Sequence, residues 1–306
     1  MTCKPRHFTS SKQTTMKHFN RSLPTAFAQL WLIVLCVLLL QPTQAKRPTT
    51  TYRVMQFNIL QSKAEPQGHE WDTRKEAVAN MLQDIHPDLV AVQEARKTQC
   101  RFLQERFPQY VQIKHPKDGI EANGGQRNLI LYDASKFELL GWEKFWFSTT
   151  PQVSSLSWDA MTPKLTICAH FRCKSKGHKT FWLACTHYFP IGDTCRTHCV
   201  RMMLEKTDQI AKKKEPIFVC GDLNMNPDDA RLAPMWTRFS NAAEIARQTD
   251  GRDRHTYNGF RPDRHFTIDY IFCRNVSVDT YRVVDSDRYG VPYISDHYPV
   301  FADICL

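Results

Sequence analysis

Ile217-Phe218-Val219-Cys220-Gly221-Asp222-Leu223-Asn224 is the stretch on which the reading of the fold turns. Four apolar residues of buried-strand length run into a glycine, then into a carboxylate and an amide flanking a leucine. The run follows a Lys-rich helix end at Lys212-Lys213-Lys214, so it reads as a central strand covered on both faces of its sheet. Side chains two apart on a strand leave the same face. Asp222 and Asn224 therefore point together from the strand's C-terminal end, the rim where open α/β sheets bind ligands. Gly221 marks a bend or a close backbone approach. Taken alone, the stretch reads equally well as an Asx-rich turn closing a strand. What other strands end in decides between the two.

Working outward, the pattern repeats. Tyr52 to Leu60 alternates as a first strand with Asn58 near its end, and Asp88-Leu89-Val90-Ala91-Val92-Gln93-Glu94 is a buried strand that ends in a carboxylate. A buried strand end holds a glutamate only with a partner, because an unpaired buried charge is costly, and a hard divalent cation is the natural one. Lys179 to His187 is an apolar strand ending in a histidine, and Lys164 to Phe171 precedes it across the hairpin turn Ser175-Lys176-Gly177-His178. Phe266 to Cys273 carries Asp269 within an apolar run, and Ser295-Asp296-His297 sits just before the last strand. Helices are predicted over 72–86, capped by Asp72 and ended by Pro87, over 100–107, and from about Thr197 to Lys213. The irregular segment 145–162 reads either as a cleft wall or as a packed surface loop. Strands alternating with helices and no internal repeat after Lys46 predict one α/β catalytic domain over residues 46–306.

Residues 1–45 behave differently from the rest. They hold five basic residues, no acid, and the apolar run Leu30–Leu40, which as a helix spans roughly 16 Å against a hydrocarbon layer of ~30 Å. This is a signal-peptide core, with small residues at Thr43-Gln44-Ala45 for cleavage and a chain secreted from Lys46. Initiation at Met16 and retention as a membrane anchor through residues 26–40 are the alternatives. Of the formal charge of +10 on 306 residues, +5 belongs to the chain beyond the leader, which suits an anionic substrate without requiring nucleic acid. Nine cysteines lie beyond the leader. Cys168, Cys185, Cys220 and Cys273 read as small buried hydrophobes, whereas Cys100, Cys173, Cys195, Cys199 and Cys305 are disulfide candidates in an oxidising compartment. A zinc site with His187 and His198 is a weaker reading. Asn275-Val276-Ser277 is a glycosylation sequon.

Asn58, Glu94, His187, Asp222, Asn224, Asp269, Asp296 and His297 thus gather at strand termini. They include oxygen ligands for a cation, groups to activate water, and donors for a five-coordinate phosphorus. In order and in local sequence, Phe57-Asn58-Ile59, Val92-Gln93-Glu94, Thr186-His187, Gly221-Asp222-Leu223-Asn224, Ile268-Asp269-Tyr270 and Ser295-Asp296-His297 resemble the endonuclease/exonuclease/phosphatase superfamily. That superfamily spans secreted deoxyribonucleases, apurinic endonucleases, neutral sphingomyelinases and inositol polyphosphate 5-phosphatases. Trp71-Asp72-Thr73-Arg74-Lys75 and Thr256-Tyr257-Asn258-Gly259-Phe260 look most like a secreted branch with poorly defined substrates.

The resemblance implies a four-layer sandwich of two packed mixed β-sheets flanked by helices. It implies Mg²⁺ or Mn²⁺ on Glu94, with Asn58 and Asp296 beside it. Asp222 and His297, the latter oriented by Asp269, would position and deprotonate water, while Asn224 and His187 would stabilise phosphoryl oxygens. Relatives often carry an acidic partner for His187 where this chain has Gln126-Arg127. A neutral Gln does not hold a histidine protonated, and Arg127 is read instead as a bidentate grip on substrate phosphate. Lys164 stands where relatives tend to have an arginine and is read as a second phosphate contact. The substrate is then a phosphodiester or phosphomonoester, from nucleic acid, nucleotide, lipid headgroup or sugar phosphate. The protein is read as a monomer with no protein partner. The competing reading is a non-catalytic phosphate-binding domain that keeps the fold.

Overall fold

A computed structural model describes residues 50–306 apart from Ala64, Lys176 and residues 252–254, so the expected leader and cleavage site fall outside the described residues. One sheet is built from β1 (Thr51–Asn58), β2 (Leu89–Ala95), β3 (Tyr110–Pro116), β4 (Arg127–Asp133), β10 (Gln248–Asp250), β12 (Ser277–Val283) and β13 (Val300–Cys305). Its order is β10-β12-β13-β1-β2-β4-β3. The other contains β5 (Phe137–Trp146), β6 (Leu165–Cys173), β7 (Thr180–His187), β8 (Ile217–Asp222), β9 (Ser240–Asn241) and β11 (Asp269–Arg274), in the order β5-β6-β7-β8-β11-β9. Both are mixed: β1–β2 and β7–β8 pair in parallel, while most neighbours run antiparallel.

Alternation along the strands produces the four layers. Leu89 and Ala91 of β2 meet Phe218 and Cys220 of β8 in the core between the sheets. The intervening Val90 and Val92 turn outward onto Val78, Met81 and Leu82 of helix α1 (Trp71–Ile85) and Leu103 of α2 (Lys97–Arg106). Ile217 and Val219 turn outward onto Val200 and Met203 of α3 (Asp193–Ile210). Every residue of β8 is buried, as a strand covered on both faces requires.

The β1–β2 and β7–β8 parallel pairs lie inside their sheets and fix the site, whereas the third, β10–β12, lies at an edge. Asn58 stands beside Gln93 in the β1–β2 register, and His187 beside Asp222 in the β7–β8 register. Asp269 begins β11 opposite Asp222. Gly221 is a close-approach position: a Cβ there would lie 2.4 Å from the Thr186 carbonyl oxygen of β7.

Element boundaries differ from expectation where distant residues set them. Helix α3 starts at Asp193, four residues early, because the Asp159 carboxylate accepts from the Thr194 and Cys195 amides at 3.1 and 2.7 Å and caps it from another segment. Asp72 is not the cap of α1. It lies in the first turn and pairs with Lys75, and the N-cap position is Glu70. The disulfide expectation is corrected too: all nine cysteines of the described residues are free. Cys195 Sγ faces the Ile191 and Gly192 carbonyls rather than another sulfur. No group of three or more His, Cys, Asp or Glu side chains among the described residues is placed to hold a zinc ion, and His198 stacks on Trp158 instead.

The Gly221 contact makes a direct prediction. Gly221→Ala drives a methyl group into backbone with no flexible side chain to yield, so it costs about 2 kcal/mol or more in chemical denaturation. A midpoint equal to wild type would show that β7 and β8 are not packed this closely.

Candidate active site

Nine of the ten sequence-predicted site residues border one cleft of about 730 Å³ or stand directly behind it; Glu94, Lys164, His187, Asp222, Asn224, Asp296 and His297 line it, with Asn58 beneath and Asp269 behind His297. At its centre Asp222 is 2% exposed. Its Oδ2 accepts from Asn58 Nδ2 at 3.1 Å and lies 3.4 Å from His187 Nε2 and 3.8 Å from His297 Nε2, while Oδ1 accepts from the Asn224 amide at 2.9 Å. Burial, with Asp269 nearby, pushes the Asp222 carboxyl up to about 7, against the pull of His297 and Lys164.

His297 is held from behind. Its Nδ1 lies 2.8 Å from Asp269 Oδ2, and Asp269 Oδ1 accepts from Gln56 Nε2 at 3.2 Å. Burial opposes charge on this ring, but the surrounding Asp269, Asp296 and Asp222 carboxylates outweigh it and raise His297 to about 10. His187 goes the other way. Burial and the nearby Lys164 ammonium hold it well below 6.5, so it is a neutral imidazole.

Glu94 reaches the cleft through a local distortion: its φ is +67° where the β2–β4 register slips between Val92 and Ala95. Its Oε2 accepts from Gln126 Nε2 at 3.0 Å, and Asn58 Nδ2 lies 3.4 Å from Oε1. Across from it stands Asp296, whose pKa is raised chiefly by burial and further by the Glu94 carboxylate, with His297 opposing. Glu94 and Asp296, two carboxylates lining one cleft, suit a hard cation that keeps most of its waters, as Mg²⁺ does. Asn58 presents Nδ2 to Glu94 and Asp222 and turns Oδ1 back to the Leu60 amide at 3.1 Å. In this arrangement it ties the two carboxylates together, and an oxygen for a cation would require the amide to reverse.

Arg127 is the clear correction. Its guanidinium is buried away from the cleft on the Gly125 and Glu121 carbonyls and the Glu121 carboxylate, so it does not face substrate. Gln126, one residue earlier and on the opposite face of the strand's path, is the cleft residue. It serves Glu94 rather than His187. Lys164 is where the sequence placed it. Its ammonium is buried at the cleft, makes no hydrogen bond or ion pair among the described residues, and is pushed down by burial to about 8.

Sequence reasoning missed the supports. Gln56 and Gln93 exchange side-chain hydrogen bonds at 2.5 and 2.8 Å behind Asp269. Thr256 Oγ1 accepts from the Ile268 and Asp269 amides. Asn258 donates its backbone amide to the Asp296 carbonyl and Nδ2 to the Ser295 carbonyl, pinning the Ser295-Asp296-His297 turn. Polar residues inside apolar strands, as in Val92-Gln93-Glu94, were the available signal. Lys117 and Arg196 also line the cleft and had no such signal.

The Asp269 contact has a measurable consequence. Because the folded pKa of His297 is raised from 6.5 to about 10, its contribution to stability is complete below the unfolded value and fades as pH rises through about 10. In NMR titration of metal-free protein, His297 should stay protonated past pH 8, and Asp269→Asn should bring its titration down. A wild-type ring titrating near 6.5 would refute the charge arrangement.

The model of the Endonuclease/Exonuclease/phosphatase family matches residues 55–297. An uncharacterized protein of Acanthamoeba polyphaga mimivirus is 25% identical over 251 residues, covering 76% of this chain and 91% of that one. Among solved structures, an endonuclease/exonuclease/phosphatase from Bacteroides vulgatus superimposes with a TM-score of 0.77 at 26% identity, covering 84% of this chain and 99% of its own. A mannosyl-6-phosphatase of Bacteroides thetaiotaomicron gives 0.76 at 25% identity, covering 83% and 100%. With the fold, the ordered site residues and a family match over most of its length, the chain belongs to the endonuclease/exonuclease/phosphatase family.

Proposed function

We propose that this protein is a secreted, Mg²⁺- or Mn²⁺-dependent hydrolase of a phosphate ester. The observation that carries the reading is the convergence of Glu94, Asn58, Asp222, His187 and His297 from both sheets on one cleft, each within 4 Å of another member. Glu94 and Asp296 would hold the cation, which when bound supplies neutralisation of phosphoryl oxygen charge. The chain's own groups do the rest. Asp222, with a proton affinity near neutral pH, is suited to take the proton from an attacking water. His297, kept cationic by Asp269, is suited to donate to a phosphoryl oxygen as charge builds there. Near neutral pH Asp222 can give up its proton while His297 stays charged, so Asp222 rather than His297 is the base in this reading. His187 and Asn224 stand beside Asp222 as uncharged donors, and Lys164 offers a desolvated ammonium to the phosphate. The water oxygen forms the new P–O bond, the ester P–O bond breaks, and the leaving oxygen takes up a proton.

The cleft volume falls in the range of small-molecule sites, which favours a compact phosphoester over a long nucleic-acid track. The structural similarity to a mannosyl-6-phosphatase makes sugar phosphates the first substrates to assay, beside nucleotides, lipid headgroups and DNA. Secretion rests on the apolar run and small residues of the leader.

Turnover of p-nitrophenyl phosphate and bis-p-nitrophenyl phosphate tests this. Activity should require Mg²⁺ or Mn²⁺, vanish in EDTA, and fall about 10²–10⁴-fold in Asp222→Asn and His297→Ala, the range for losing a proton-transfer group. Folded protein with no turnover of any phosphoester would favour a binding domain, and activity in EDTA would remove the cation from the account.

A further inference from the structure

Five of the nine strongly exposed large hydrophobic side chains among the described residues, Ile120, Val153, Leu156, Met161 and Ile191, are on three loops beside the cleft. They are between 50 and 71% exposed. Scattered single apolar residues need no explanation, but a group at one place marks a docking surface. The loops touch one another. Ser154 Oγ donates to the Lys117 carbonyl at 3.2 Å, and a Cβ on Gly119 would lie 3.3 Å from Ser154 Cβ. Asp159 caps α3 just beyond Ile191. The same loops supply Lys117, Thr162 and Pro190 to the cleft wall, so the apolar side chains form its lip.

Residues 147–163 are built to leave water. They contain no Lys or Arg, and their one charge, Asp159, is spent on the α3 amides. Several of their polar groups bond within the loop. Ser157 Oγ accepts from the Thr149 amide at 2.9 Å and Ser148 Oγ from the Thr150 amide at 3.2 Å, Thr150 and Ser155 pair through their hydroxyls at 2.6 Å, and the Val153 amide donates to the Thr150 carbonyl at 3.2 Å. Each such bond lowers the cost of moving that part of the loop out of water.

We propose that this lip docks on a lipid surface, with Ile120, Val153, Leu156, Met161 and Ile191 entering the apolar boundary and the cleft behind them receiving a headgroup phosphate. Charge complementarity selects this occupant. The ammonium groups of Lys117 and Lys164, neither with an ion pair among the described residues, lie in the cleft behind the apolar tips, as a headgroup phosphate lies next to the acyl boundary. A protein seated on the lip would cover the mouth, whereas a bilayer presents its own phosphate to it. Without basic residues on the loop tips, attraction to the surface is apolar rather than a long-range electrostatic pull. Only the anion received in the cleft rests on the phosphoesterase reading.

Sedimentation of the full chain with phosphatidylcholine vesicles tests the proposal, with vesicles of a phosphate-free neutral galactolipid as comparison and Val153→Glu/Leu156→Glu as the variant. Wild type should sediment with phosphatidylcholine, less with galactolipid, and with little change on adding salt. The double variant should bind about tenfold more weakly or worse, from the loss of two buried apolar side chains, while hydrolysing a soluble p-nitrophenyl ester like wild type. The proposal is overturned if wild type stays in the supernatant, if the variant binds as well, as it would were the leader responsible, or if both lipids bind equally. It is also overturned if size-exclusion shows that the lip instead pairs two copies. Vesicle binding with no turnover of any ester would leave docking standing and remove the proposed activity instead.

Discussion

A carboxylate with almost no access to water is the constraint to which the rest of this structure answers. Asp222 ends a strand buried on both faces, and an ionised carboxylate in that position is costly unless polar groups or a cation compensate. The compensation comes from several directions. Its own sheet places His187 alongside through parallel pairing and Asp269 opposite through antiparallel pairing. The facing sheet sends Asn58 across the sandwich. The site therefore exists only when the two sheets are packed, which couples its geometry to the inter-sheet core of Leu89, Ala91, Phe218 and Cys220.

A second layer of polar residues keeps the first from relaxing. Gln56 and Gln93 lock each other and hold Asp269, Asp269 holds His297, and Asn258 pins the turn carrying Asp296 and His297. Because Gln56 and Gln93 satisfy each other, both are fixed in place behind Asp269. Opposite protonation of the two histidines follows from the same layout. At His297 three carboxylates outweigh the cost of burial, whereas at His187 burial prevails, helped by the Lys164 ammonium, so one ring is charged and the other neutral.

Most of the candidate site was legible in the sequence because chemistry-bearing residues at the ends of apolar runs are a local signal, whereas the two-sheet sandwich was legible only through the resemblance to a known family. Asp222, Glu94, His187 and Asp296-His297 could be picked out that way. Three things could not. Strands β3, β5 and β12 mix polar and apolar residues without a clean alternation, because they lie at or near sheet edges, and they were not recognised. The start of α3 depends on Asp159, which is remote in sequence. Arg127 was assigned to the cleft although a one-residue step on a strand reverses which side chain meets it, and Gln126 takes that face on Glu94. The disulfide expectation failed for a related reason. Polar sequence around Cys195 and Cys199 suggested exposure, but both lie on the buried face of α3.

The account stands or falls on whether Glu94 and its neighbours gather round a divalent ion. Mn²⁺ binding, followed by electron paramagnetic resonance of free Mn²⁺ against added protein, reads this without any substrate. Wild type should take up Mn²⁺ at a saturable site that Mg²⁺ displaces, and Glu94→Gln should weaken uptake at least about tenfold, in line with the loss of a charged ligand. Uptake unchanged by Glu94→Gln, or no saturable uptake at all, would contradict a cation-centred site.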